Sequence, residues 1–312
     1  MKRNQTQGYM MVLIAGILWG SAGLFSTILT SFGFTAPMVA FIRISLGTLF
    51  MGTFMMIKYG PSIFRIDAKG IVWCLLLGIF AEGLYNISYA EAVSEAGMAA
   101  AAVMLYTSPV FVCIMARMFF KEKITQIKVA ALVLNVAGCA LAVTGGNFGD
   151  IHIPATGFIA GIGAGFLYSL LPVINTQTLD KYNILTVNFY GLLFGAVLLT
   201  VIARPWEAVP QLMNAKVMLT AAGYGLIPTF AAYLIYLRGL SNHLEASRVP
   251  VMCSLETVSS AFIGLAALGE GISAGKAAGI AIVLVSIALM NMNMNKPLPH
   301  IRFSRRVARR NA

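Results

Sequence analysis

The chain has 312 residues, of which 59% are apolar and only 11% are charged, and its mean hydropathy is +0.82. A water-soluble domain carries about 25% charged residues, so charge this sparse excludes an ordinary soluble fold and points to a chain immersed in lipid. The net charge of +11 is not read as nucleic-acid binding, because the Lys and Arg residues cluster at the ends of apolar stretches, where membrane-orientation rules put them.

Ten apolar stretches follow one another, at roughly 9–29, 37–57, 70–90, 97–119, 125–144, 154–175, 185–203, 216–237, 246–268 and 274–294. Each holds about 20 residues, enough at a 1.5 Å rise to cross a hydrocarbon core about 30 Å thick. Helix is required, because unpaired backbone groups cannot face lipid. The fold class is therefore all-α integral membrane. Lys2 and Arg3 ahead of the first stretch have the look of a secretory signal. The apolar run from Tyr9 to Leu29 is longer than a signal core and no A-x-A site follows it, so it is read as a retained first span.

A charged side chain at the centre of a bilayer costs roughly 2.5–3.5 kcal/mol on insertion scales, and such residues face the bundle interior or a water-filled cavity. Four stand within or at the edge of spans: Arg43, Glu82, Arg248 and Glu256. Arg43 lies too deep in span 2 for easy snorkelling. It is read as a structural anchor, with capture of a substrate carboxylate as the other reading. In span 3, Glu82, Tyr85, Asn86 and Tyr89 share one helical face by i, i+3, i+4, i+7 spacing. Two readings of Glu82 stand open: a cavity wall that binds a cationic group or a proton, and an interhelical bond to Arg43 or another partner. In span 9, Pro250 falls between Arg248 and Glu256, where it frees a carbonyl and permits a kink. Arg248 is near a span end and can snorkel; Glu256 is deeper and is divided between cavity and structural bond. Trp19, Tyr106, Tyr168, Tyr233 and Tyr236 are further candidates for a pore lining. Glu122 and Glu270 stand at span ends and are read as structural.

The four cysteines all lie inside spans, so no disulfide framework is implied. The three histidines (His152, His243 and His300) are scattered with no metal spacing, and neither a P-loop nor a Ser-His-Asp set is found. No cofactor and no enzymatic activity are expected.

With the N-terminus cytoplasmic, seventeen Lys and Arg residues fall in inside segments and three outside, which predicts both termini inside. The two sets of five spans also correspond at a shift of about 148 residues. Phe120-Lys-Glu122-Lys-Ile-Thr125-Gln-Ile-Lys128 aligns with Leu268-Gly-Glu270-Gly-Ile-Ser273-Ala-Gly-Lys276. Phe41 and Gly47 align with Phe189 and Gly195, and Gly78, Tyr89 and Ala92 align with Gly225, Tyr236 and Gly239. Five is odd, so the second repeat is inverted relative to the first, an architecture of secondary transporters in which the solute site sits between the halves. Repeats over 1–148 and 149–296 are expected, followed by a basic cytoplasmic tail over 297–312 that lies on anionic lipid. The symmetry is broken where Arg43 faces Gly191, Glu82 faces Thr229 and Pro109 faces Thr257.

Leu18-Trp-Gly-Ser21, Phe41-Ile-Arg43, Tyr89-Ala-Glu-Ala92, Tyr106-Thr-Ser-Pro109, Phe120-Lys-Glu-Lys-Ile-Thr125, Leu255-Glu256 and Leu268-Gly-Glu270 together resemble the EamA-type members of the drug/metabolite transporter superfamily. The resemblance runs from about Met10 to Met294. It implies ten helices in two inverted five-helix repeats, a bacterial inner membrane and transport of a small solute, without naming the solute. The expectation is a secondary transporter that exports a metabolite such as an amino acid or amine by alternating access, driven by the solute gradient or by protons. It would work as a monomer or homodimer in the lipid bilayer. The alternatives are uptake by the same kind of protein, or a non-transporting receptor or scaffold.

Overall fold

The computed structural model describes residues 2–147, 149, 153–208, 213–269 and 271–292, and these contain helices and turns but no strand. Nine helical segments among them are long and apolar enough to cross a membrane. One of the nine, Ala68–Leu105, is 38 residues long and holds Gly97 at φ 82°, ψ 160°. The chain reverses there. Residues near 165 of span 6 meet both limbs: the Tyr168 ring lies 5.1 Å from that of Tyr85, and a Cβ on Gly165 would stand 2.8 Å from Thr107 Oγ1. Positions 85 and 107 are therefore at similar depth on adjacent helices, and the described residues make ten traverses. Span 3 runs to the Gly97 reversal rather than to the expected 90. Span 9 begins at Val249 rather than at 246, because the segment before it is a turn tied up by charged groups. Glu270 and the expected tail over 297–312 lie outside the described residues.

The repeat is written into local geometry. Span 3 widens into a π-helix over Leu77–Leu84, and span 8 does the same over Gly225–Ala231. In span 8, Pro228 lacks the N–H that a regular turn needs, which accounts for the widening there. Span 4 is interrupted after Leu105, before the helix Ser108–Phe119, and span 9 is interrupted after Cys253, before Leu255–Leu268. Leu105 and Cys253 are repeat mates. So are two N-caps: Thr125 accepts from the Lys128 amide at 3.3 Å, and Ser273 accepts from the Lys276 amide at 3.1 Å.

Helix contacts obey the same symmetry. A Cβ on Gly47 (span 2) would fall 2.3 Å from Thr229 Cγ2 of span 8, and one on Gly195 (span 7) would fall 2.7 Å from Glu82 Cβ of span 3. Spans 5 and 10 cross with equal intimacy, since a Cβ on Gly279 would lie 2.2 Å from the Ala142 amide. Between apolar helices in lipid, association depends on such close approach of small residues. Large side chains point outward instead: Ile57 is 81% exposed, Leu219 77% and Val201 70%, the surface a hydrocarbon solvent calls for. The polar groups are left inside, around the breaks of spans 4 and 9.

Candidate functional site

A seam of polar side chains starts at span 2. Arg43 is half-buried, and its Nη2 donates to Asn86 Oδ1 at 3.3 Å. Asn86 in turn donates to the Glu82 backbone carbonyl. Glu82 is only 2% exposed, and its Oε1 accepts from the Tyr233 hydroxyl at 2.6 Å. Among the described residues no ion pair joins Arg43 to Glu82, although the guanidinium is close enough for its field to reach Glu82, Tyr85, Tyr224 and Tyr233. Tyr224, which the sequence did not single out, stacks on Phe25 at 5.8 Å.

Beside this seam a narrow cleft with a cavity volume of ≈ 30 Å³ opens between spans 1, 4, 6, 8 and 9. Trp19, Tyr106, Tyr168, Tyr236, Ser254 and Glu256 are among its lining residues. Trp19 meets Tyr233 edge-on at 5.7 Å and Tyr236 at 5.1 Å, which holds the indole against the wall. Tyr85 continues the aromatic surface, 5.1 Å from Tyr168 and 6.2 Å from Tyr89. The i+3 and i+4 spacing of one face and the breaks of two spans thus bring the aromatics of five spans to one place.

The two carboxylates differ. Glu82 is engaged by Tyr233 and closed off by Gly195, so the expected open cavity wall at Glu82 is not what the fold presents; the π-helix turns it into the contact with spans 7 and 8. Glu256 instead lines the cleft from the first turn of Leu255–Leu268 and keeps part of its surface accessible. Among the described residues its carboxylate makes no hydrogen bond or ion pair. Its charge is felt by Tyr85, Tyr89, Tyr106 and Tyr168, and Arg43 is the cation whose field reaches it.

At the end of the bundle that carries the N-terminus, the two repeats are tied by a buried charge cluster. Lys128 Nζ lies 2.8 Å from Glu245 Oε2, 3.5 Å from Glu122 Oε2 and 2.9 Å from Ser247 Oγ. Glu122 also accepts from the Ala246 amide at 2.7 Å and from both the amide and the hydroxyl of Ser247. Arg248 does not snorkel: its Nε lies 2.6 Å from Glu245 Oε2, and its Nη1 donates to the Met290 carbonyl at 2.7 Å. Burial pushes the Glu245 carboxyl up, but the Lys128 ammonium and the Arg248 guanidinium more than offset this and hold it below the usual carboxylate range. His243 stands 3.7 Å from Asp180 on the same end; His152 and His300 lie outside the described residues. Among the described residues no group of His, Cys, Asp and Glu is arranged to hold a metal.

The EamA-like transporter family matches this chain twice, over residues 6–144 and 155–292. An uncharacterized transporter of Archaeoglobus fulgidus is 25% identical over 90% of this chain and 95% of its own length. The uncharacterized inner membrane transporter YicL of Salmonella typhimurium is 22% identical over 90% of this chain and 93% of its own. A crystal structure superposes with a TM-score of 0.76 at 18% identity, covering 92% of this chain and 96% of that one, a likeness of fold. The family model matches both halves, and the described residues supply nine long apolar spans and the shorter apolar helix Ser108–Phe119: the chain belongs to the EamA-like transporter family.

Proposed function

We propose that this transporter exports a small metabolite, such as an amino acid or amine, by alternating access across a bacterial plasma membrane, with both termini cytoplasmic. The units that move are the repeats 1–148 and 149–296. The observation that carries the reading is the cleft between the repeats, where spans 4 and 9 are both interrupted and Glu256 is left without a partner among the described residues. Discontinuous helices at the repeat interface are where such transporters bind solute, and the halves must part to widen the ≈ 30 Å³ cleft around one. The cluster of Glu122, Lys128, Glu245 and Arg248 closes the end that the distribution of basic residues assigns to the cytoplasm. Entry of solute from the cytoplasm through that end requires the cluster to part. Transport rather than catalysis is the role, and a proton is the coupling ion we favour because the cleft and its margin hold two carboxylates, Glu82 and Glu256.

Purified protein in liposomes, tested with labelled amino acids, amines and nucleosides under both signs of pH gradient, checks the reading. Saturable flux of at least one solute is expected. Absence of flux and of binding across the panel would refute it.

A further inference from the structure

We infer that Glu256 and the aromatic rings around it form a subsite for an organic ammonium group, so that the solute presents a cationic head to span 9. The inference rests on the transport reading for its meaning but not for its test.

The chemistry follows from the wall. A carboxylate taken out of water needs a counter-charge or a set of hydrogen-bond donors. Glu256 has neither among the described residues, whereas the other membrane-embedded carboxylate, Glu82, is bonded to Tyr233. The helix N-terminus on which Glu256 sits offers only a partial positive charge. Arg43 reaches it by field, without an ion pair among the described residues, and spends a donor on Asn86. An anionic solute in contact with the ionised Glu256 would be repelled, and a neutral one would leave the charge to be removed only by a proton. An ammonium group compensates it.

The rings select further. Trp19, Tyr106 and Tyr168 line the same cleft as Glu256, and Tyr85 backs Tyr168 at 5.1 Å. Aromatic faces attract a desolvated cation through the ring quadrupole, and they accept N-methyl groups that offer no hydrogen bonds. A carboxylate among such rings fits an alkylated ammonium better than a strongly hydrated inorganic cation, which would have to shed water against apolar walls.

Choline and its neutral carbon isostere, 3,3-dimethylbutan-1-ol, differ in little but charge and so isolate the claim. The chain has three tryptophans, and Trp73→Phe with Trp206→Phe leaves Trp19, in the cleft wall, as the fluorescent reporter. In detergent-solubilised full-length protein, choline is expected to change Trp19 emission saturably and to bind at least tenfold tighter than the isostere. Glu256→Gln should weaken choline at least tenfold and leave the isostere unchanged, while Glu256→Asp, which keeps the charge, should retain most of the discrimination. A thermal melt of each variant establishes that it is folded. Equal binding of choline and isostere, no choline binding by folded protein, or an unaltered Glu256→Gln variant would each overturn the subsite. Flux of a neutral or anionic solute in liposomes that are indifferent to choline would also overturn it while leaving transport in place. Choline binding without flux of any solute would support the subsite and remove the transport reading.

Discussion

Replacing Lys128 by Met keeps the length of the side chain and deletes the charge that joins the two repeats. The ammonium is 2.8 Å from Glu245 and 3.5 Å from Glu122, and the Lys128 side chain is only 7% exposed. Loss of one member of a buried ion pair costs about 3–5 kcal/mol, because the remaining charge is left uncompensated. Arg248 still holds Glu245 at 2.6 Å, so the low end, about 3 kcal/mol, is expected. At roughly 2 °C per kcal/mol for a chain this large, the melting temperature should fall by about 6 °C. The four cysteines are all buried, so a thiol-reactive fluorogenic dye reports unfolding in detergent directly. The pH dependence has a definite sign. The Glu245 carboxyl is held down in the native state, so its contribution is fully present above the unfolded value of about 4.3 and is lost as pH falls through the lower native value. Lys128→Met removes much of that depression. The gap between wild type and variant should therefore be widest near neutral pH and should narrow as pH drops below about 4. A variant that melts within about 1 °C of wild type at neutral pH would refute the view that this cluster holds the two repeats together.

Glu82→Gln keeps an oxygen to accept from Tyr233 and removes the charge; solute flux should fall tenfold or more, about 1.4 kcal/mol of barrier, with the thermal melt unchanged. Wild-type flux in liposomes would take Glu82 out of the mechanism. Gly78→Ala would place its Cβ 2.5 Å from the Gly191 carbonyl, a backbone atom that cannot swing away, and should cost about 1–3 kcal/mol by overpacking. Gly23→Ala meets nothing nearer than Ser260 Oγ at 3.5 Å and should melt like wild type. Equal melting temperatures for the two alanine variants would contradict the tight crossing of spans 3 and 7.

The spans were legible because lipid imposes one rule on every traverse, and a composition rule survives in sequence without partners. The repeat was legible where a capping position needs a particular side chain, as at Thr125 and Ser273. The roles of the two carboxylates were not. Glu82 and Glu256 look alike as intramembrane acids, and what separates them is a hydroxyl 151 residues away from Glu82. Periodicity places a residue on a face of its own helix and is silent about which helix covers that face. Lys128 was hidden for the same reason: it counts as one basic residue at a span end until Glu245, Ser247 and Glu122 fold over it. Tyr224 has no signal of its own, being one tyrosine in an apolar span until it stacks on Phe25.

Two identical inverted halves would make the states open to either side of the membrane equal in energy. This chain is not identical in its halves where it matters. The mates of Arg43, Glu82 and Glu256 are Gly191, Thr229 and Ser108, so every charge in the polar seam and cleft occurs once. The latch is broken in the same way: Glu122 and Lys128 have mates in Glu270 and Lys276, but Glu245 and Arg248 correspond to Gly97 and Ala100. One end of the bundle can therefore build the four-membered charge cluster and the other cannot. The two ends therefore close with different sets of contacts, and the two closed states are not equivalent by symmetry. A solute shifts the balance between them only by as much as it binds the second state better than the first. The cleft that holds Glu256 is bounded by both repeats, through spans 1 and 4 on one side and spans 6, 8 and 9 on the other. A cation seated on Glu256 touches the moving parts of both repeats, and it is there that differential binding has to arise.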